Sequence, residues 1–401
     1  MPAPREGTGT GSRDHRARAP RAPRGRVERV RRDHRVQAAV VGVALVAGLI
    51  AGSLGTSRDH SARALTSVTP TTVTRAAPAP ARTVLFAHVD AKRRLDLLAV
   101  AGVNAGGRIG SVVFVPTTTL VEVPSFDTQA LVEVPLLSGT HGAASLLATT
   151  VANALGLHFD QVMLLTNKTL TALLTPADHM RVTFTQAVQV DDDAGTLAFT
   201  PGRATITAGD ATRLLIGPAS GGALEHLVAV QAVLQGWFSR LRVAAVAHAT
   251  QKFTSQASAL VAVAHADVNF DTLPVDVLSS GSTTGYELQE PQADQLVRAD
   301  FPDGLITTGH RPRVELLNGT GAVALTQAVA RRVVPAGGEI TLTGNVPGFG
   351  VRHTSVVYYR PADLPAARHL AAALGVGSVA EGNVPIDVVD LTIVVGSDFH
   401  P

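Results

Sequence analysis

The sequence predicts an α/β protein: a three-layer α-β-α domain, a smaller α/β domain after it, and a single N-terminal transmembrane helix. Three observations predict this. Apolar runs of strand texture alternate with helix-periodic segments over residues 83–306, the pattern of a sheet covered on both faces. The pattern resets at His310–Arg313 and repeats on a smaller scale over 312–399. Val36–Leu54 is an uncharged, apolar stretch of 19 residues, which as a helix spans about 28 Å, close to the roughly 30 Å of a bilayer core.

The segments before the folded part are read from composition. Residues 1–35 carry eleven Arg against four acids, +7 in a chain whose net charge is +2, so the remainder is −5. With almost nothing apolar to bury, this basic tail is expected to be disordered. It lacks interleaved aromatics and a neighbouring helix-turn-helix pattern, so nucleic acid is not an expected partner. The arginines before Val36–Leu54 place the N-terminus in the cytoplasm and the later domains outside the cell membrane. A cleaved signal peptide is the competing reading, against which stand the long basic lead and the full-length apolar run. Residues 55–82, rich in Thr, Ala and Pro, read as an extended linker. The absence of cysteine excludes disulfides, thiol catalysis and zinc–thiolate sites. Three lysines against 31 arginines is the composition of a GC-rich bacterial genome.

Thr83–Thr119 organises the first domain. Val84–Val89, Asp96–Val103 and Gly110–Val115 are strand-like runs, the third ending at Pro116 and three threonines. Pairing of the first two through the loop 91–95 would set Asp90 and Asp96 nearly opposite, with Lys92, Arg93 and Arg94 between them. Two acceptors and several cations at one mouth could hold a divalent cation and a phosphate together. A solvated, charged hairpin tip has the same composition.

Further along, Leu120–Pro124 alternates as an edge strand would, and Gly142–Leu155 reads as a helix stopped by Gly156. Phe159–Leu165 is a strand, Lys168–Leu174 a short helix and Arg181–Val190 an alternating strand that ends in a turn at Asp191–Asp193. Gly221–Val243, with the sole tryptophan, and Gln251–Val263 are helices. In the last domain Arg313–Leu317, Glu339–Leu342, Ser355–Tyr358 and Val388–Val395 are strands, and Ala322–Val334 and Leu364–Leu374 helices. Asn318-Gly-Thr-Gly321, between strand and helix, could cradle an anion or be a plain turn. His88 is read as packed on the face opposite Asp90. His141, His158, His226, His248 and His265 show no metal-ligand spacing, and there is no nucleophile elbow or phosphate-binding Gly-Lys-Ser/Thr loop.

The order VLFAHVD-basic-D, VVFVPTTTLVEVP and ASLLATTVANALGLHFDQVMLL resembles the LytR-CpsA-Psr family of bacterial cell-envelope proteins. VELLNGTG, ITLTGNV, TSVVYY and AARHLAAALGV resemble the LytR C-terminal domain that often follows. The resemblance implies an LCP-like domain over 83–306 and a LytR C-terminal domain over 312–399. It implies a membrane-anchored protein that transfers a polyprenyl-pyrophosphate-linked glycopolymer onto peptidoglycan, assisted by Mg2+. Arginines clamp the pyrophosphate, aspartates hold the metal and an apolar pocket takes the lipid. Carried over, Asp90 and Asp96 match the metal-binding aspartates, and Arg93 or Arg94 the phosphate-binding arginine. The family's Arg-Ser-Asp-Thr stands here as Arg94-Leu95-Asp96-Leu97, and its Pro-Arg-Asp-Thr as Pro116-Thr117-Thr118-Thr119. The later arginine-rich stretch reads Leu214–Leu227, without an arginine; Gln231 can match the family's glutamine. Each missing charge-assisted contact removes about 1.5–3 kcal/mol. The expectation is a catalytically degenerate member that acts by binding or scaffolding, with an active glycopolymer phosphotransferase as the alternative.

Overall fold

Residues 82–130 form β1 (Arg82–Val89), β2 (Leu95–Val103), β3 (Ile109–Phe114), β4 (Thr119–Val123) and β5 (Asp127–Ala130). The computed structural model describes residues 82–139, 142–217, 223–253, 257–280, 283–383 and 388–401. The basic tail, the apolar stretch 36–54 and the linker short of Arg82 lie outside the described residues. Among the described residues no helix is long and apolar enough to cross a membrane.

The chain continues through α1 (Val134–Leu137), α2 (Ala143–Leu155), β6 (Gln161–Leu165), α3 (Asn167–Leu174), β7 (Met180–Phe184), β8 (Val188–Asp192), β9 (Gly195–Phe199) and β10 (Gly202–Ile206). Then come α4 (Ala208–Ile216), α5 (Ala223–Leu241), α6 (Ala244–Phe253), α7 (Ala257–His265), β11 (Asp267–Thr272), β12 (Val275–Ser280), β13 (Thr283–Leu288) and α8 (Glu290–Asp300). The central sheet has the order β11-β3-β2-β1-β6. Only β2 runs against the other four, so the C-terminal ends of β1, β3, β6 and β11 meet at one end of the sheet.

Both faces of this sheet are buried, which is why its strands read as continuous apolar runs rather than alternating ones. Val84 and Phe86 of β1 pack into the core shared with helices α3 to α7. Their neighbours Leu85 and Ala87 pack into the opposite core, with α2 and α8. That second layer is mixed, because the four-stranded sheet β12-β13-β4-β5 also belongs to it. On the helical side Trp237 is fully buried, its ring 6.2 Å from Phe86 and 5.6 Å from Phe238. Phe238 continues to Phe270 at 5.8 Å, and Phe270 to Phe114 at 6.5 Å, so a chain of aromatics fills the space under α5. Helix α5 approaches β7 closely at Gly236, where a Cβ would lie 2.7 Å from the Arg181 carbonyl.

Two expected elements are divided. Arg181–Val190 is β7 and β8 in separate two-stranded sheets, because Thr185, Gln186 and Ala187 are all exposed and interrupt the alternation. The expected Asp191–Asp193 turn is displaced: Asp191 and Asp192 close β8, and Asp192 binds Arg213 of α4 at 2.8 Å. Gln251–Val263 is the end of α6 and most of α7.

The last domain comprises β14 (Arg313–Asn318), α9 (Val323–Val333), β15 (Glu339–Asn345), β16 (Ser355–Tyr358), α10 (Leu364–Leu374), β17 (Ser378–Glu381) and β18 (Leu391–Val395). Its sheet has the order β15-β14-β18-β16-β17. Val314, Leu316, Val329, Val333, Leu370 and Ile393 form its core.

The two domains are joined by polar contacts of defined direction. The Asn153 side chain of α2 donates to the Ile340 carbonyl and accepts from the Ile340 amide, both at 2.8 Å. Arg311 donates to the carbonyls of Asn153 (2.8 Å) and Gly338 (3.1 Å). Gly156 ends α2 in the left-handed region at φ 65°. A Cβ there would also meet Arg311 Nη1 at 3.2 Å, so both the turn and the guanidinium favour glycine.

Candidate functional site

The end of the central sheet where β1, β3 and β6 terminate is the place at which open α/β sheets receive ligands, and the predicted side chains lie there. Their arrangement differs from the expected hairpin. The turn closes at Asp90 and Arg94, with the Asp90 amide donating to the Arg94 carbonyl at 2.9 Å. Arg93 adopts φ 64°, the left-handed residue that a three-residue hairpin loop uses. The loop is therefore Ala91-Lys92-Arg93, and Asp90 faces Arg94 rather than Asp96.

Asp96 is the extra residue of a bulge. Val89 pairs with Leu95 and His88 with Leu97, so one step on β1 matches two on β2. A bulge re-aims a side chain, and Asp96 Oδ2 lies 3.3 Å from Nδ1 of fully buried His88. That is ion-pair distance, although the alignment does not make a hydrogen bond. On its other side, His88 Nε2 lies 2.9 Å from Asn167 Oδ1 at the start of α3. His88 is packed as expected, but toward Asp96 and the helical layer rather than away from the site.

A second histidine belongs to the same neighbourhood. Burial holds the His226 imidazole below its ordinary pKa, against the opposing pull of the Leu215 carbonyl and the Asp96 charge. Its Nε2 is 3.3 Å from the Leu215 carbonyl, and its Nδ1 is buried without a partner among the described residues. His226 stands within the stretch where the resemblance implies arginines. Its position near Asp96 had no signal in spacing, because it depends on how α5 crosses the sheet.

The four predicted residues are already engaged to different degrees. Asp90 Oδ1 accepts the Arg94 amide at 2.7 Å. Arg93 Nη2 donates to the carbonyls of Pro135 and Gly139, tying the hairpin to α1 and the loop after it. The Arg94 side chain is exposed. Thr117 and Thr118 give their carbonyls to the amides of Val132 and Tyr286, and Thr119 Oγ1 donates to the Pro116 carbonyl at 2.7 Å. Among the described residues no group of three or more His, Asp or Glu side chains is placed to hold a metal. Asp90 and Asp96 face different partners, so these two carboxylates do not by themselves assemble the oxygen set that magnesium requires. What the arrangement offers is a buried His88 hydrogen-bonded to Asn167 and set beside the Asp96 carboxylate, with Arg94 as an exposed cation.

In the last domain the Asn318-Gly-Thr-Gly321 turn caps itself. Asn318 Oδ1 accepts the amides of Thr320 (3.0 Å) and Gly321 (2.9 Å), so those donors are occupied without an anion. Residues 311–399 match the family model described as LytR cell envelope-related transcriptional attenuator. The small domain is a LytR C-terminal domain. No curated protein matches the sequence. Solved structures similar to the chain include TagV of Bacillus subtilis, 12% identical, with a TM-score of 0.47 over 56% of this chain and 97% of that one. TagT bound to LI-WTA is 13% identical, with a TM-score of 0.45 over 56% of this chain and 90% of that one. The LytR-CPS2A-psr family protein YwtF (TagT) with bound octaprenyl pyrophosphate lipid is also 13% identical, with a TM-score of 0.43 over 56% and 91%. The LytR C-terminal domain and the site at the sheet end are thus on the same chain, with α2 between them.

Proposed function

We propose that this is a cell-envelope assembly protein of the LytR-CpsA-Psr type that binds a polyprenyl phosphate- or pyrophosphate-linked glycopolymer, or peptidoglycan, without transferring it. Residues 36–54 anchor it in the cell membrane as a single pass, with residues 83–401 extracytoplasmic. The LytR C-terminal match supports the cell-envelope setting. The observation that carries the non-catalytic reading is the engagement of Arg93 by two backbone carbonyls. Phosphoryl transfer relies on cations aimed at the charge that develops on the moving group. Here Arg93 faces carbonyls, Thr117 and Thr118 stand where the resemblance implies an arginine and an aspartate, and His226 is held toward its neutral form by burial. Losing three charge-assisted contacts at about 1.5–3 kcal/mol each removes several powers of ten in rate.

The test is a titration of residues 83–401 with octaprenyl pyrophosphate, with and without Mg2+, beside the Asp90→Ala, Asp96→Ala double variant. Binding that is indifferent to magnesium and to the variant is the expected result, and supports a binding or scaffolding role. Magnesium-dependent binding lost in the variant would revive the transferase reading, with Asp90 and Asp96 as metal ligands and Arg94 on the phosphate. Absence of binding would remove the lipid-linked ligand altogether.

A further inference from the structure

Away from the sheet end, the first domain meets the last at a cluster of two acids and one hydroxyl. Thr343 Oγ1 of β15 lies 2.9 Å from Glu122 Oε1 of β4 and 2.8 Å from Asp127 Oδ1 of β5, and the Asp127 amide donates to the same Oγ1 at 3.3 Å. A threonine hydroxyl carries one proton and two lone pairs. The amide takes one lone pair, and the hydroxyl proton serves one of the two carboxyl oxygens. The other oxygen then faces a lone pair at hydrogen-bond distance, a contact that is attractive only with a proton on that oxygen.

Exposure decides which acid carries the proton. Glu122 is half-buried and Asp127 is exposed. Glu122 Oε2 already accepts from Thr128 Oγ1 at 3.2 Å. A proton on Oε1 therefore satisfies the whole cluster: Oε1 donates to Thr343, Oε2 accepts from Thr128, and the Thr343 proton goes to Asp127. Burial pushes the Glu122 carboxyl up, against the pull of the Thr343 and Thr128 hydroxyls, and the Asp127 charge adds to the rise. The elements packed against β4 are β5, β13, β15, α2 and the short turn before α1. Their charged side chains are Asp127, Glu287, Glu339 and Glu133, all acids, with Tyr286 the other titratable group and none on α2. No cation on these elements favours the ionised form.

We propose that Glu122, Thr343 and Asp127 form a proton-gated latch between the two domains, closed while Glu122 is a neutral acid and loosened when it ionises. The sign follows from linkage. A glutamate held above its ordinary value in the closed state binds its proton more tightly there than in the open one. The latch contributes fully below the ordinary glutamate range of about 4.3, and its contribution is lost as pH rises through the raised value. The inference does not rest on the function proposed above.

The experiment is hydrogen exchange of the full chain at about pH 4.5 and about pH 8, on either side of the raised value, with rates corrected for the intrinsic pH dependence of amide exchange. Peptides 119–130 and 339–345 report the latch, and 391–395 of β18, in the same sheet as β15, is the reference. Protection at the first two should be about fivefold to tenfold lower at the higher pH, with the reference unchanged. In Glu122→Gln the side-chain amide donates to Thr343 at every pH, so protection should stay at its acidic level throughout. Asp127→Asn also offers Thr343 a donor and suits the left-handed backbone at this position, φ 57°. It should behave in the same way, and serves if Glu122→Gln does not fold. Equal protection of the parent at both pH values would overturn the proposal. So would a fall that persists in both variants or is shared by the β18 reference. Variants less protected than the parent at both pH values would also overturn it, because the contact would then be structural with no proton in it.

Discussion

Asp390 shows how one carboxylate can set the acid stability of a domain. It is 3% exposed and receives Arg313 through both backbone amide (2.8 Å) and guanidinium (3.1 Å), Arg360, and His310 at 3.4 Å. Burial pushes its pKa up, but the Arg313 hydrogen bonds outweigh burial and hold it at about 2. An unfolded aspartate titrates near 3.9, so the folded state gains about 2 kcal/mol above pH 4, lost progressively as pH falls toward 2. Urea midpoints measured between pH 5 and 2 should therefore fall less steeply for Asp390→Asn than for the parent. At neutral pH the variant should be less stable, because Arg313 and Arg360 then face an uncharged amide.

Between elements, the contact that matters most is made by a side chain imitating a strand. Asn153 sits in α2 yet offers both a donor and an acceptor to Ile340 of β15, the pairing a neighbouring strand would have made. Replacing it with alanine leaves a buried amide and carbonyl unpaired and should cost about 2–4 kcal/mol. Hydrogen exchange would localise the effect: the Ile340 amide should lose protection before its neighbours in β14. The sequence made some elements plain and others invisible for physical reasons. Strands β1 to β3 were legible because burial on both faces leaves an unbroken apolar run, and α2 because Leu147, Val151 and Gly156 mark its face and its stop. Helix α4 went unread although its Thr207–Asp210 capping box and its buried face of Ala208, Ala211, Leu214 and Leu215 are written in the sequence; the short strand β9, exposed or half-buried throughout, carries no such pattern. The bulge at Asp96 escaped because it depends on Arg93 taking a backbone conformation that its residue type does not advertise. Asp90 and Asp96 stand at one end of the central sheet but face the Arg94 amide and His88 rather than each other, and His88 and His226 entered only through packing.

Across the whole molecule, the two domains share one interface in which helix α2 contributes to both. It packs Leu147 and Val151 beneath the central sheet and presents Asn153 and Gly156 to the last domain. A second contact, between side chains, sets Thr343 Oγ1 of β15 2.9 Å from Glu122 of β4 and 2.8 Å from Asp127 of β5. The LytR C-terminal match at 311–399 was announced by VELLNGTG and TSVVYY, where turn and strand chemistry survive in the residues themselves.

Strand β15 is the outer strand of its sheet, and outer strands are where proteins recruit unwanted copies of themselves. Asn153 and the β4–β5 hairpin act as a stopper on that rim. A fragment beginning near residue 311 would carry the same core but a bare rim, open to pairing with its twin. Light scattering should show it assembling as concentration rises while the longer chain stays dispersed; a fragment that remained monomeric would mean the rim needs no cover. On this view the large domain serves the small one as a cover for its outer strand.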